Sequence, residues 1–429
     1  MKILIKGGKI IDPKNSVEGI YDLLIEDGKI KEIGDNIATD SLDIEIIDAS
    51  GKLVLPGLID MHVHLREPGL EHKETIHTGL QAAAKGGFTT VACMPNTKPA
   101  IDDRTIVEAL DRKARGEKIN LKVIGAATKN IDTDQLTEMG DLKEAGIVAI
   151  SNDGKPVKNA YITRRVLEYA KQFDLILIEH CEDESLANGG FIHEGYYSTI
   201  LGLKGIPRES EDLIVARDIA LAQMTDAKVH IAHISSKNSV ELVREGKKKG
   251  IKVTAEVTPQ HLVLTDAAVE GFDTSTKINP PLRSEEDRIA LIEGLQDGTI
   301  DIIATDHAPH ARYEKEVEYA YAPFGAVGLE TALALINTKL VKEGVISYSQ
   351  LVEKMANRPG EIFKLGGDLS IGSNADVIVF DPDKKWTVDP NKFYSMGKNT
   401  PFKGWELEGE VVHTICKGEY ALKDGKVTE

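Results

Sequence analysis

The chain has few cysteines, few aromatics, no excess of basic charge and no long apolar run. Its three cysteines, Cys93, Cys181 and Cys416, are far apart and form no CxxC pair. That excludes a disulfide framework and a cysteine zinc knuckle, and it points to a reducing compartment. No apolar stretch reaches the roughly 18 residues of a membrane span. The start, MKILIKGGKIIDP, lacks the apolar core and cleavage site of a signal peptide. The expectation is a cytoplasmic protein without a membrane partner. A formal net charge of −17 argues against nucleic acid as a partner. It leaves small anionic substrates open, because a metal and a few local cations can invert the field inside a pocket.

What remains is ordinary globular material, 41% hydrophobic and 28% charged over 429 residues. That length suits a large catalytic domain plus a smaller one. The first fifty or so residues alternate short β-rich runs with EDGK and ASGK steps, which is hairpin turn chemistry. The C-terminus resumes this texture in SNADVIVFD and VVHTICKGEYALKDGKV. The two ends are therefore expected to pair into one small β-sandwich domain, residues 1–54 with 363–429. Between them, eight apolar runs alternate with helical stretches. They are LVLPGLIDMHVH, TTVACMPN, LKVIGAAT, GIVAISND, LILIEHCE, KVHIAHIS, IKVTAEVTP and IDIIATDHAPH. Eight such units over 55–362 read as a closed parallel (β/α)₈ TIM barrel. Helical stretches such as DDRTIVEALDRKARG and SEDLIVARDIALAQM carry apolar residues at three-to-four spacing behind Asp or Ser caps.

Catalytic residues of such a barrel sit at the C-terminal ends of its strands. The first run ends in His62 and His64, the fourth in Asp153, the fifth in His180, the sixth in His233 and the eighth in Asp306. Residues i and i+2 of a strand share a face, so His62 and His64 can take one metal together. Parity separates neighbours. His230 and His233 face opposite sides, and His233 lies nearer the strand end. Only one of Asp306 and His307 can point inward, and Cys181 points away from His180 into the core. Taken singly, Asp153 could be a turn residue and His180 a core histidine; six such side chains converging on one end outweigh those readings. Histidine and carboxylate without cysteine suit Zn²⁺ in an open catalytic site. A carboxylate between two histidine groups can bridge two metals about 3.5–4 Å apart, with a shared hydroxide. Asp306 can bind metal and shuttle a proton. Arg66, two residues past His64, is placed to fork onto a substrate carboxylate. Asn96, ending the second run, can donate beside it.

DMHVHLREPG, MPNT, SNDGKPV, EHCED, AHIS, KINPPLR and ATDHAPH together make the chain resemble class I dihydroorotase of the amidohydrolase superfamily, over nearly its whole length. The resemblance implies reversible closure of N-carbamoyl-L-aspartate to L-dihydroorotate plus water, the third step of pyrimidine biosynthesis. It implies one zinc on His62 and His64, another on His180 and His233, and Asp153 as the bridge. Many relatives bridge with a carboxylated lysine, for which Lys155 is the candidate here. The resemblance also assigns His64, Arg66, Asn96, Asn279, His310 and the backbone at Phe324 and Gly325 to the substrate. A homodimer, and association with aspartate carbamoyltransferase, are the assemblies it raises. Two rivals stand beside it: another cyclic amidohydrolase (hydantoinase, dihydropyrimidinase or allantoinase), and a non-catalytic scaffold homologue. Finally, residues 311–323, ARYEKEVEYAYAP, join two sets of these contacts without clear periodicity, and are expected to act as a lid over the substrate.

Overall fold

The computed structural model describes residues 2–38 and 44–428. Near the N-terminus lie β1 (Lys2–Asp12), β2 (Val17–Glu26), β3 (Lys29–Gly34), β4 (Ile44–Asp48) and β5 (Leu53–Pro56). Strands β2 and β3 form the hairpin expected of EDGK, with Asp27 at φ 51° and Gly28 at φ 75°, the left-handed pair that a tight turn needs. The ASGK step departs from expectation. It makes no hairpin, because β4 and β5 both run parallel to β1, at Lys2–Lys6 and Lys9–Ile10 respectively. The turn shifts the chain along one strand, past the register irregularity of β1 between Ile5 and Gly8.

The barrel follows with β6 (Leu58–Val63), β7 (Phe88–Cys93), β8 (Asn120–Ala126), β9 (Ala149–Ser151) and β10 (Leu177–Glu179). A small excursion, β11 (Ile192–His193) with β12 (Gly205–Ile206), precedes β13 (Val229–Ile231), β14 (Val253–Val257) and β15 (Ile302–Ile303). The eight barrel strands lie side by side in chain order, β6 to β10 and β13 to β15. They correspond one for one to the apolar runs of the sequence. The seam between last and first strand is narrow. Val63 bridges His307 in parallel, the His64 amide donates to the His307 carbonyl at 2.8 Å, and the Thr305 amide donates to the Asp60 carboxylate at 3.2 Å.

Alternation along each strand produces two packed layers. Ile59, Met61, Ala92, Ile124, Ile178 and Ala232 are among the residues that fill one cluster. The opposite faces pack against the helices in a larger cluster that includes Val63, Val91, Leu80 and Leu142. The helix Arg104–Ala114 starts as read, with Asp103 accepting from the Thr105 amide at 2.8 Å. The helix Glu209–Thr225 starts differently, since Arg208 holds the cap position and makes no side-chain bond there.

The chain then returns to the first sheet through β16 (Val377–Thr387), β17 (Glu406–Cys416), β18 (Glu419–Lys423) and β19 (Lys426–Val427). Strand β16 bonds β5 and β5 bonds β1, so both ends of the chain merge into one nine-stranded sheet. Ile3, Ile5, Leu23, Ile25, Val377, Val379 and Ile415 form its core. No helix among the described residues is long and apolar enough to cross a membrane.

Candidate metal centre and substrate pocket

The strand ends bring His62, His64, Asp153, His180, His233 and Asp306 together, and all six are buried. Asp153 is the hub. Its Oδ1 lies 3.3 Å from His62 Nε2, 3.4 Å from His233 Nε2 and 3.7 Å from His180 Nδ1, and its Oδ2 lies 3.4 Å from His64 Nε2. His62, His64 and Asp153 form one triad with metal-ligand spacing, and Asp153, His180 and His233 form a second. Asp306 Oδ1 sits 3.0 Å from His64 Nε2 and 3.6 Å from His62 Nε2.

Charge and bonding show that the cluster suits a cation. The buried atoms His62 Nε2 and Asp153 Oδ1 face each other yet have no hydrogen-bond partner. Burial opposes charge on Asp153, but His62, His233 and His64 outweigh it and hold the carboxyl well below its usual range. On His62 burial opposes the cationic form, and the carboxylates of Asp153 and Glu256 overcome it. A divalent ion would supply the positive charge and leave the ring nitrogens neutral as ligands.

Local backbone geometry reinforces the reading. His233 and Asp306 occupy the left-handed region at φ 30° and 47°, as does Arg66 at φ 61°. Such conformations cost about 1–3 kcal/mol each in non-glycine residues and cluster at functional sites. The cluster opens into a cavity of about 140 Å³ lined in part by Arg66, Asn96, Asn279, Phe324 and Gly325. That volume suits a small ring.

Arg66 is 9% exposed, its Nε donates to the Pro309 carbonyl at 3.1 Å, and no carboxylate lies within salt-bridge distance among the described residues. Burial lowers its guanidinium to about 10. Asn96 Oδ1 is 2.9 Å from His64 Nδ1 and orients that ring. Asn279 Nδ2 reaches Glu182 at 2.8 Å and His180 Nε2 at 3.3 Å, so its side chain touches the His/Asp cluster as well as the cavity. His310 Nε2 is 2.7 Å from the Phe324 carbonyl. Gly325 is at φ 130°, where an added Cβ would stand 2.8 Å from Ala308 Cβ and 3.1 Å from His310 Nε2, so a side chain would obstruct the pocket wall. Lys155, the candidate for a lysine bridge, turns away from the cluster and pairs with Asp132 at 2.6 Å.

Residues 311–323 are tied down. Lys315 Nζ donates to the carbonyls of Pro323 at 2.8 Å and Gly325 at 3.0 Å, while Lys277 Nζ donates to those of Tyr319 and Ala320. Tyr319 is buried, and a short helix, Arg312–Lys315, opens the segment.

Two supporting residues escaped the reading of the sequence. Glu256 on β14 accepts from His62 Nδ1 at 2.5 Å and from His230 Nε2 at 3.1 Å, all three side chains being fully buried. A glutamate inside the apolar run IKVTAEV was the available signal. Asn399 accepts from the His310 amide at 3.1 Å and donates to the carbonyls of Ala308 and Gly325, both at 3.0 Å. Nothing local distinguishes it in sequence.

A (β/α)₈ barrel with a His/Asp cluster that could hold metal at its C-terminal strand ends is the arrangement of a hydrolase of the amidohydrolase superfamily. Residues 51–239 match the family described as dihydro-orotase-like. The chain is 54% identical over 427 residues to a dihydroorotase of Pelotomaculum thermopropionicum, covering 99% of each. It is 52% identical over 431 residues to a dihydroorotase of Thermoanaerobacter sp., covering 100% of this chain and 99% of that one. Among solved structures, the L-hydantoinase (dihydropyrimidinase) from Arthrobacter aurescens superposes with a TM-score of 0.90 at 26% identity, over 100% of this chain and 97% of that one. The chain belongs to the dihydroorotase family, and it is a hydrolase acting on a cyclic amide C–N bond.

Proposed function

We propose that the chain catalyses the reversible cyclisation of N-carbamoyl-L-aspartate to L-dihydroorotate plus water in pyrimidine biosynthesis. The observation that carries this reading is the buried Arg66 guanidinium, which lines the cavity without a counter-anion. A ligand carboxylate satisfies it, whereas the neutral rings of hydantoin and allantoin do not. Lys155, directed at Asp132, argues likewise against the lysine-bridged relatives.

His62 and His64 would hold one zinc ion, His180 and His233 a second, with Asp153 between them. Bound there, zinc supplies an activated water and polarises the ring carbonyl. Asp306, held below its usual range because His64 and His62 outweigh its burial, is a carboxylate ready to accept a proton. In hydrolysis it takes the proton of the attacking water and passes it to the departing ring nitrogen as the C–N bond breaks. In synthesis it begins protonated. Arg66, Asn96 and His310 hold the carboxylate, and Asn279 with the backbone at Phe324 and Gly325 frames the ring. Closure of residues 311–323 over it would need the Lys277 and Lys315 tethers to release when the site is empty. The catalytic barrel spans 55–362, and the ends 1–54 and 363–429 form the small domain. We place the enzyme in the cytoplasm, as a homodimer able to associate with aspartate carbamoyltransferase.

Arg66→Lys tests the carboxylate assignment. Losing the fork is expected to cut kcat/KM for dihydroorotate by on the order of 10²-fold. An equal proportional loss with a neutral ring substrate would make Arg66 structural and remove the basis of the reading.

A further inference from the structure

We propose that Lys73 is a positioning residue for substrate recognition, which fixes His310 in the tautomer whose Nε2–H faces the carboxylate pocket. The inference rests on the dihydroorotase reading for its substrate and on geometry alone for the tautomer. Lys73 Nζ lies 3.3 Å from His310 Nδ1. An ammonium donates and never accepts, so Nδ1 must be the bare nitrogen and the ring proton must sit on Nε2. The partner of Nε2 agrees, since the Phe324 carbonyl at 2.7 Å can only accept. Arg66 Nη2, at 3.4 Å, therefore faces a ring N–H, which leaves that guanidinium nitrogen for a ligand. The ring N–H already donates to the Phe324 carbonyl, so a ligand carboxylate beside the guanidinium would share that proton as a second acceptor.

Lys73 is itself held in place. Its side chain is 14% exposed, and Glu314 Oε1 binds its ammonium at 2.9 Å. Glu314 Oε2 stays 3.6 Å from His310 Nδ1, beyond hydrogen-bond reach, so the lysine stands between carboxylate and imidazole. The next residue, Glu74, is fully buried and accepts from the Met396 amide at 3.1 Å, which anchors the loop carrying Lys73. From the other side Asn399 holds the His310 main chain. Burial first, then the cations of Arg66, Lys73 and Lys315, push His310 down to about 2, so the ring is neutral and its single proton has one place to be.

The test is ¹⁵N spectroscopy of the His310 imidazole in zinc-loaded full-length enzyme, paired with kinetics on dihydroorotate. In the wild type His310 should show a protonated Nε2 and a bare Nδ1. In Lys73→Met the freed Glu314 carboxylate, 3.6 Å from Nδ1, competes with the Phe324 carbonyl for the ring proton. Both tautomers should then be populated, and KM should rise on the order of tenfold, the effect of one mis-set hydrogen bond, with kcat nearly unchanged. Lys73→Arg keeps a donor at Nδ1 and should restore tautomer and KM together. An Nδ1–H tautomer in the wild type overturns the proposal whether or not any variant folds. So does an unchanged His310 spectrum in Lys73→Met. A wild type with the expected tautomer but no turnover of dihydroorotate would sink the functional reading and leave the tautomer assignment standing.

Discussion

Replacing Glu256 by Gln should weaken metal binding without unfolding the chain. Glu256 touches neither cavity nor substrate; its Oε1 accepts from His62 Nδ1 at 2.5 Å and its Oε2 from His230 Nε2 at 3.1 Å. Burial opposes its charge, but His62 and His230 outweigh that and hold the carboxyl well below its usual range. A hydrogen bond to a charged partner contributes about 1.5–3 kcal/mol. Glutamine keeps the volume and can still accept from His62. On the other side its amide can donate to His230, whose Nδ1 would then donate to Thr254 Oγ1 at 2.8 Å. What disappears is the negative charge behind His62. At about 1.4 kcal/mol per decade this predicts a 10- to 100-fold loss of metal affinity, the range expected when the partner of a metal-bound histidine is removed. Competition with a chromogenic chelator measures it, and excess metal should restore activity. A zinc affinity within threefold of wild type would refute the assignment of Glu256 as the group that orients His62.

Two further outcomes follow from the site and from the segment beside it. Asp153→Ala should lose metal and activity together, with bicarbonate having no effect on the wild type; bicarbonate-dependent reactivation would assign the bridge to a carboxylated lysine instead. Lys315, lowered to about 7 by burial and then by Lys277, binds fewer protons folded than unfolded between pH 7 and its ordinary 10.5. Its cost to stability is therefore present below pH 7 and fades as pH rises, so wild type should gain stability relative to Lys315→Met between pH 7 and 10. A difference in melting temperature that stays flat across that range would contradict the burial of a lysine at this position.

Much of this was legible in the sequence because the barrel writes its plan locally. Each strand is an apolar run, and each candidate ligand is the polar residue that ends one, which is why the sequence alone marks His62, His64, Asp153, His180, His233 and Asp306. Extents were less legible. The run IDIIATDHAPH suggests a long strand, yet only Ile302–Ile303 are paired as one, because the chain must leave the sheet to carry Asp306 and His307 around the rim. The pairing of β16 with β5, which joins both chain ends in one sheet, joins residues more than 300 positions apart and leaves no local pattern. Lys73 and Asn399 stayed hidden for a related reason. They act by holding another side chain or loop, so their role is set by three-dimensional proximity and not by periodicity or strand position.

The central claim is tested most directly by turnover of dihydroorotate, hydantoin and allantoin in one metal-analysed sample, with Asp306→Asn as the folded control. The account predicts zinc in the protein, turnover confined to dihydroorotate, and a kcat at least about 10²-fold lower in Asp306→Asn. Efficient hydrolysis of hydantoin or allantoin with dihydroorotate untouched, or an Asp306→Asn enzyme within tenfold of wild type, would contradict it.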